Sequence, residues 1–99
     1  MAMDTSRHLT GFYRKAGDDA ALHPTHISLY MALFQFWSCG RFKNPISISR
    51  DEVMLVSRIC SKATYHKCIK TLHENGYIRY EPSYNPFKGS QVHLLNFSD

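Results

Sequence analysis

A stretch near the middle of the chain, SKATYHKCIKTL (residues 61–72), carries side chains that can bind either a metal ion or a nucleic acid. Cys60 precedes it and His73 follows it, so two cysteines and two histidines fall within fourteen residues. Thiolates and imidazoles are the usual ligands of structural zinc. The same stretch holds three lysines, which indicate a polyanionic partner.

Helix geometry separates these two possibilities. If residues 62–75 form a helix, the side chains of His66 and Cys68 point about 160° apart, so they cannot bind one tetrahedral ion. His73 lies five residues past Cys68, and the chain has no closely spaced cysteine pair. We therefore expect no metal site and no cofactor, and we interpret Cys68 as a small core residue. The expected buried stripe, about 100° wide, is Tyr65, Cys68, Ile69 and Leu72, and the opposite face is Ala63, Lys67, Lys70 and Glu74.

Positive charge is concentrated around this stretch. The whole chain has a formal net charge of +4 at pH 7. Residues 41–70 alone hold seven Lys and Arg against Asp51 and Glu52, which sums to +5 and leaves −1 for the rest. Charge concentrated in this way is typical of proteins that bind a polyanion such as DNA.

The composition favours a single small intracellular domain. The chain has 99 residues, 43% of them hydrophobic, which is enough for one core. It lacks an apolar run of 18 residues and a secretory leader, so we expect no membrane contact. Its three cysteines do not make a disulfide framework, and we interpret them as reduced thiols.

Helical periodicity predicts two helices in the first half of the chain. Residues 5–17 have helical spacing with Thr5 or Ser6 as a possible N-cap, and residues 25–38 form the most apolar helix candidate. The second helix has more apolar surface than one core needs. Either residues 5–16 cover the excess or a second copy of the chain does, and we expect a homodimer to contribute.

The second half reads as strand, helix, tight turn, helix and hairpin. ISIS is short enough to be only an edge strand. Ser49 and Glu52 have the spacing of a capping box for a helix over residues 49–57, with Val53, Val56 and, as a further candidate, Met54 facing inward. Ser61 can cap the helix at 62–75, and Asn75-Gly76 ends it. Two terminal strands, in YIRYEPSY and QVHLLNF, enclose the turn NPFKGS.

This order of elements resembles a winged helix-turn-helix domain. The segment SRDEVMLVSRICSKATYHKCIKTLHENGYI is similar to small bacterial winged-helix regulators, and LHPTHISLYMALFQFW resembles the first helix of replication and excision accessory proteins of mobile elements. The resemblance implies an α+β, mainly α fold, with a three-helix core, a C-terminal hairpin wing and an additional N-terminal helix. It implies a helical extension over residues 1–21, a DNA-binding domain over residues 22–99 and a bacterial, nucleoid-associated location in the cytoplasm.

The function predicted from these features is binding of double-stranded DNA, in transcription regulation or as an accessory factor in DNA recombination or replication of a mobile element. The N-terminal part of the helix at 62–75 would enter the major groove, and Lys88 at the hairpin tip would approach the backbone. No catalytic motif is present, and we expect no enzyme. The alternative is a winged-helix module for protein–protein interaction, with the aromatic residues as its contact surface. The candidate DNA-binding residues are Arg50, Arg58, Ser61, Lys62, Ala63, Thr64, His66, Lys67, Lys70 and Lys88.

Overall fold

The computed structural model describes residues 4–83 and 89–98, which form four helices and one three-stranded antiparallel sheet. The fold is α+β and mainly helical, as the sequence predicts, and its layout is compatible with a winged helix. The helices and strands in chain order are α1 (Thr5–Gly17), α2 (Pro24–Cys39), β1 (Ile46–Ile48), α3 (Arg50–Ser57), α4 (Lys62–Glu74), β2 (Ile78–Glu81) and β3 (Ser90–Leu94).

The sheet places β3 between β1 and β2, and both pairings are antiparallel. Ile46 pairs with Val92, and Ile78 pairs with Leu94. Side chains alternate across a strand, so one face of the sheet is apolar and packs against the core. The prediction that ISIS forms a short edge strand is confirmed.

The N-terminal helix is part of the same core as the rest of the chain. The ring of Phe12 is fully buried and stacks on Tyr30 of α2, with centroids 3.9 Å apart and planes 4° from parallel. His8, also fully buried, lies against Phe34 and Trp37. The surplus apolar surface of α2 is therefore covered by α1 within the chain, and it no longer argues for a homodimer.

Two of the predicted helix caps differ from the structure. Asp4 caps α1 in place of Thr5 or Ser6, because its Oδ1 accepts a hydrogen bond of 3.0 Å from the Arg7 N–H. Ser49 occupies the N-cap position of α3 with extended backbone, but its side chain forms no capping bond, so the predicted capping box is wrong.

The inward face of α3 also differs from the prediction. Val53 is fully buried, as expected, but Val56 is 49% exposed. Ser57 is buried and Met54 is half-buried, so Val53, Met54 and Ser57 together form the inward face. The centre of this face is about 100° from Val56 around the helix. Leu55 is 73% exposed, which leaves an apolar surface on the outside of α3.

The C-terminal segment crosses α1 at Gly11, and this contact predicts a stability difference between two glycines. A Cβ at Gly11 would overlap the carbonyl oxygen of Phe97, whereas a Cβ at Gly17 would have no neighbour within 4 Å among the described residues. We expect Gly11→Ala to destabilise the protein by about 1–3 kcal/mol, because the segment must move. Gly17→Ala should be neutral or stabilising by up to about 1 kcal/mol, as alanine is the better helix former. Urea unfolding measures both, and equal effects would contradict the contact.

Two buried histidines predict that the free energy of unfolding falls in acid. The Nε2 of His8 lies 2.8 Å from the Tyr30 hydroxyl, and its Nδ1 accepts a hydrogen bond of 3.0 Å from the Phe97 N–H. The ring is therefore neutral, and burial lowers its pKa from the ordinary value of 6.5. His26 is buried with its Nδ1 accepting from the His23 N–H, and burial lowers its pKa as well.

The unfolded chain binds protons at these two histidines more readily than the folded chain does. The resulting stability is fully present above pH 6.5 and is lost as pH falls from there through the folded-state pKa. In this pH window each histidine lowers the free energy of unfolding by at most about 1.4 kcal/mol per pH unit. Urea unfolding between pH 8 and pH 5 should show the decline, and His8→Gln should make the curve shallower. A flat curve for the parent protein would contradict the assignment.

Among residues 4–83 and 89–98, none of the helices is long and apolar enough to cross a membrane.

Candidate nucleic-acid interface

Helix α4 has one buried and one exposed face, divided as the periodicity predicts. Its N-terminus is fixed by Ser61, whose hydroxyl accepts a hydrogen bond of 3.2 Å from the Thr64 N–H. Its C-terminus is followed by Gly76, at a φ of +82° that favours glycine. The buried residues are Tyr65, Cys68, Ile69 and Leu72, and the exposed ones include Lys62, Ala63, Thr64, His66, Lys67, Lys70 and Glu74.

Contacts from distant parts of the chain hold the C-terminal end of α4 in place. The carboxylate of Asp19, in the α1–α2 connection, accepts hydrogen bonds from the Asn75 side chain at 3.1 Å and from the Tyr77 hydroxyl at 3.0 Å. Hydrogen bonds, first that from the Ala21 N–H, lower the pKa of Asp19. His73 Nδ1 accepts from the Tyr80 N–H at 3.0 Å, which ties α4 to β2. The helix is thus fixed in orientation relative to the sheet.

The middle of α4 is anchored through its buried stripe. Tyr65 is 1% exposed, and burial raises its pKa to about 12, so its hydroxyl stays protonated at neutral pH. Ile69 and Leu72 are buried in the same core. Because these side chains fill the inward face, the exposed face can meet a partner without rotation of the helix.

The cations of the candidate site differ in how far they are neutralised. Lys70 lies 3.7 Å from Glu74, and Arg50 lies 3.5 Å from Asp51. Both pairs are largely exposed and of little strength in water. Within the described ranges, Lys62 and Lys67 have no ion pair. The least compensated positive charge on α4 is therefore on its first two turns.

The turn between α3 and α4 spans Arg58 to Ser61 and keeps the two helices close. Arg58 adopts a left-handed conformation, with φ of 64°, at the C-terminus of α3. This conformation is unfavourable for residues other than glycine. Ile59 is buried and anchors the turn in the core. The side chain of Arg58 is exposed next to the start of α4.

The C-terminal hairpin is described only in part. Strands β2 and β3 form the predicted hairpin, with Glu81 opposite Gln91 near its end. Lys88, the candidate residue at the tip, lies outside the described residues. Arg79 is exposed on β2 and pairs with Glu81 at 2.9 Å.

The thiols and imidazoles of the opening stretch are not brought together. Cys39 and Cys60 are exposed, whereas Cys68 is buried, and burial raises the pKa of its thiol. His66 is on the exposed side of the same helix. Of the residues in the described ranges, no three of the His, Cys, Asp and Glu type are close enough to hold a metal ion.

Two polar contacts that hold the scaffold of the site were not predicted. Asn44 bonds the backbone of Leu94 in both directions, donating to its carbonyl at 2.9 Å and accepting from its N–H at 3.0 Å. This pairing extends the β1–β3 ladder by one side chain. The Ser28 hydroxyl donates to the Ser57 carbonyl at 2.6 Å and fixes the end of α3 on α2.

Comparison of the chain with protein-family models, with curated proteins and with solved structures gave no match.

Proposed function

We propose that this chain is a winged-helix protein that binds double-stranded DNA through the exposed face of α4. The main support for this proposal is that α4 has a fully packed inward face and an outward face of small, polar and cationic side chains. Recognition helices have this division, because their inward face fixes the helix while their N-terminal residues contact base edges.

The side chains of the first two turns of α4 suit a major groove. Ala63 is small enough to let the helix approach the bases, and its methyl group can contact thymine. Thr64 offers a hydroxyl, and Lys62 and Lys67 can donate to guanine O6 and N7. An α-helix with its side chains is about 10–12 Å in diameter, which fits the major groove, about 12 Å wide.

The flanking cations are placed to contact phosphates. Arg58 is exposed in the turn that precedes α4, and Arg50 is exposed at the start of α3. Arginine is well suited to phosphate because its planar guanidinium donates two parallel hydrogen bonds. Such contacts would orient the protein on the duplex, while α4 would read the sequence.

The proposed biological setting follows from the sequence resemblance to small bacterial winged-helix regulators and to accessory proteins of mobile elements. We propose a regulatory or accessory role in a bacterial cytoplasm, in transcription or in recombination or replication of a mobile element. A homodimer on a two-fold symmetric site is compatible with the proposal, since many helix-turn-helix proteins bind DNA in this way.

A second function, docking of a protein partner, is favoured by the apolar surface on α3. Leu55 is 73% and Val56 49% exposed, side by side on the outside of this helix. Of the aromatic residues predicted for such a surface, Phe36 is half-buried against the core, and Phe87 lies outside the described residues.

Fluorescence anisotropy with a labelled duplex of mixed sequence, over a salt series, tests the proposal. Each neutralised phosphate should contribute about −0.9 to the slope of log affinity against log salt. We expect a slope of about −3 or steeper, from phosphate contacts of Arg50, Arg58 and Lys70. The matched variants are Lys62→Gln, in the proposed interface, and Leu55→Ser, in the apolar surface. Loss of binding in Leu55→Ser with none in Lys62→Gln would contradict the DNA assignment.

A further inference from the structure

The outward side of α1 forms a groove that is separate from α3 and α4. The C-terminal residues 95–98 run beside α1 and make the second wall. We call this feature the α1 groove; it has a volume of about 340 Å³. Its lining residues are Ser6, Arg7, Thr10, Gly11, Arg14, Phe97 and Ser98.

Helical spacing brings five of these residues to one side of α1. Positions 6, 7, 10, 11 and 14 fall within about 140° of the helix circumference. The buried residues of α1, His8 and Phe12, lie on the other side, against α2. The polar residues of the groove are therefore free to face a ligand without disturbing the core.

The wall made by the C-terminal segment is fixed. The Phe97 N–H donates to His8 Nδ1 at 3.0 Å, and the Phe97 ring packs on His8 and Tyr77. Gly11 has no Cβ to hold the Phe97 carbonyl away. The groove is thus built by a close approach of two chain segments and not by a flexible tail lying on a helix.

The described residues give the groove a positive charge. Arg7 and Arg14 each contribute a cation, and none of the described residues that line the groove carries a carboxylate. Within residues 4–83 and 89–98, no acidic side chain forms an ion pair with either guanidinium. Asp4 is the nearest acid along the helix, and its carboxylate accepts from the backbone N–H of Arg7 at the N-cap.

Hydroxyl donors accompany the two arginines. In the part of the chain that the structure describes, the side chains of Ser6 and Thr10 form no hydrogen bond, and the Ser98 hydroxyl donates to the Asn96 side chain at 2.5 Å. Guanidinium groups bind tetrahedral oxyanions with paired hydrogen bonds, and serine or threonine hydroxyls supply further donors. We propose that the α1 groove binds a phosphate group, held between Arg7 and Arg14 with donors from Ser6 and Thr10.

Amide and arginine side-chain NMR shifts on titration with inorganic phosphate test this site, with sodium chloride at equal ionic strength as the reference. We expect saturating shifts confined to residues 6–14 and 97–98. The double variant Arg7→Gln/Arg14→Gln should bind phosphate at least about tenfold more weakly. The control Arg41→Gln/Arg79→Gln removes the same charge elsewhere and should bind as the parent does. Shifts that grow linearly, appear equally with chloride, or persist in the double variant would overturn the proposal.

Because this titration contains no DNA, its outcome is independent of the function proposed for α4. The source of the phosphate is distinguished by repeating the duplex-DNA salt series with the double variant. A slope shallower by about 1.8 identifies the DNA backbone as the source. An unchanged slope, together with phosphate binding by the parent, assigns the groove to a phosphate group that does not belong to the DNA backbone.

Discussion

Lys67→Glu is expected to weaken binding to duplex DNA by about 30-fold to 150-fold, or about 2–3 kcal/mol. Lys67 lies on the exposed face of α4 and has no ion pair within the described residues. Replacing it removes a donor to bases or phosphate and adds a negative charge against the backbone. Fluorescence anisotropy at fixed salt measures the loss.

The matched control for this variant is Lys15→Glu. Each substitution lowers the formal net charge from +4 to +2, so both change the overall attraction equally. Lys15 lies over the Tyr77 ring at 4.9 Å and next to Gly76, beyond the C-terminal end of α4. The C-terminal end of α4 at Glu74 is about 10 Å along the helix axis from Lys67. We expect only a few-fold loss in Lys15→Glu, and equal losses in the two variants would mean that binding is general charge attraction.

The second large effect concerns stability: Phe12→Ala should lower the free energy of unfolding by about 3–5 kcal/mol. Phe12 is fully buried, stacked on Tyr30 and in edge contact with Tyr77, so its removal leaves a cavity between α1, α2 and the start of β2. A domain of this size has about 5–15 kcal/mol of stability, so the loss is a large part of the total. Urea unfolding measures the change.

Tyr13→Ala is the control for this second substitution. Tyr13 is 49% exposed and contacts the edge of the Phe12 ring, so its removal should cost about 1 kcal/mol or less. If Phe12→Ala cost no more than Tyr13→Ala, α1 would be a detachable extension of the domain. The structure gives the opposite expectation, in which α1 is part of the core that supports α4.

The two faces of α4 could be predicted from the sequence because a helix of 13 residues has enough turns to set a period. Tyr65 and Leu72 had to share a side, and Lys67 had to lie opposite, whatever the rest of the chain does. Charge along the chain pointed to the same surface. The end of the helix at Asn75-Gly76 was also a local property, since glycine accepts the conformation required there.

Features that depend on distant residues could not be predicted in this way. Val56 is exposed because the inward side of α3 is set by its packing on the core, and an eight-residue helix gives too few positions to infer it. The carboxylate of Asp19 reaches Asn75 and Tyr77 across more than fifty residues of sequence. The predicted capping box of α3 was also wrong. Ser49 has the right residue type and spacing, but its hydroxyl makes no hydrogen bond to the helix.

The sequence did not show what covers the apolar excess of α2, and the packing of α1 against α2 resolves this question. Two explanations were available for its apolar excess, and the stacking of Phe12 on Tyr30 and of His8 on Phe34 supports coverage within the chain. Among the described residues, the exposed large apolar side chains are Leu55 and Val56, adjacent on α3, together with Tyr13 and Leu95. A search for a protein partner should therefore begin with the apolar surface on α3 and not with the aromatic residues of α2.

NMR mapping of a duplex onto the isotope-labelled protein is the sharpest test of the proposed contact between DNA and the exposed face of α4. We expect the largest amide shifts on residues 61–67, smaller shifts at Arg50 and Arg58, and none at Leu95. Shifts centred on Leu55 and Val56, or spread evenly over all exposed cations, would contradict it.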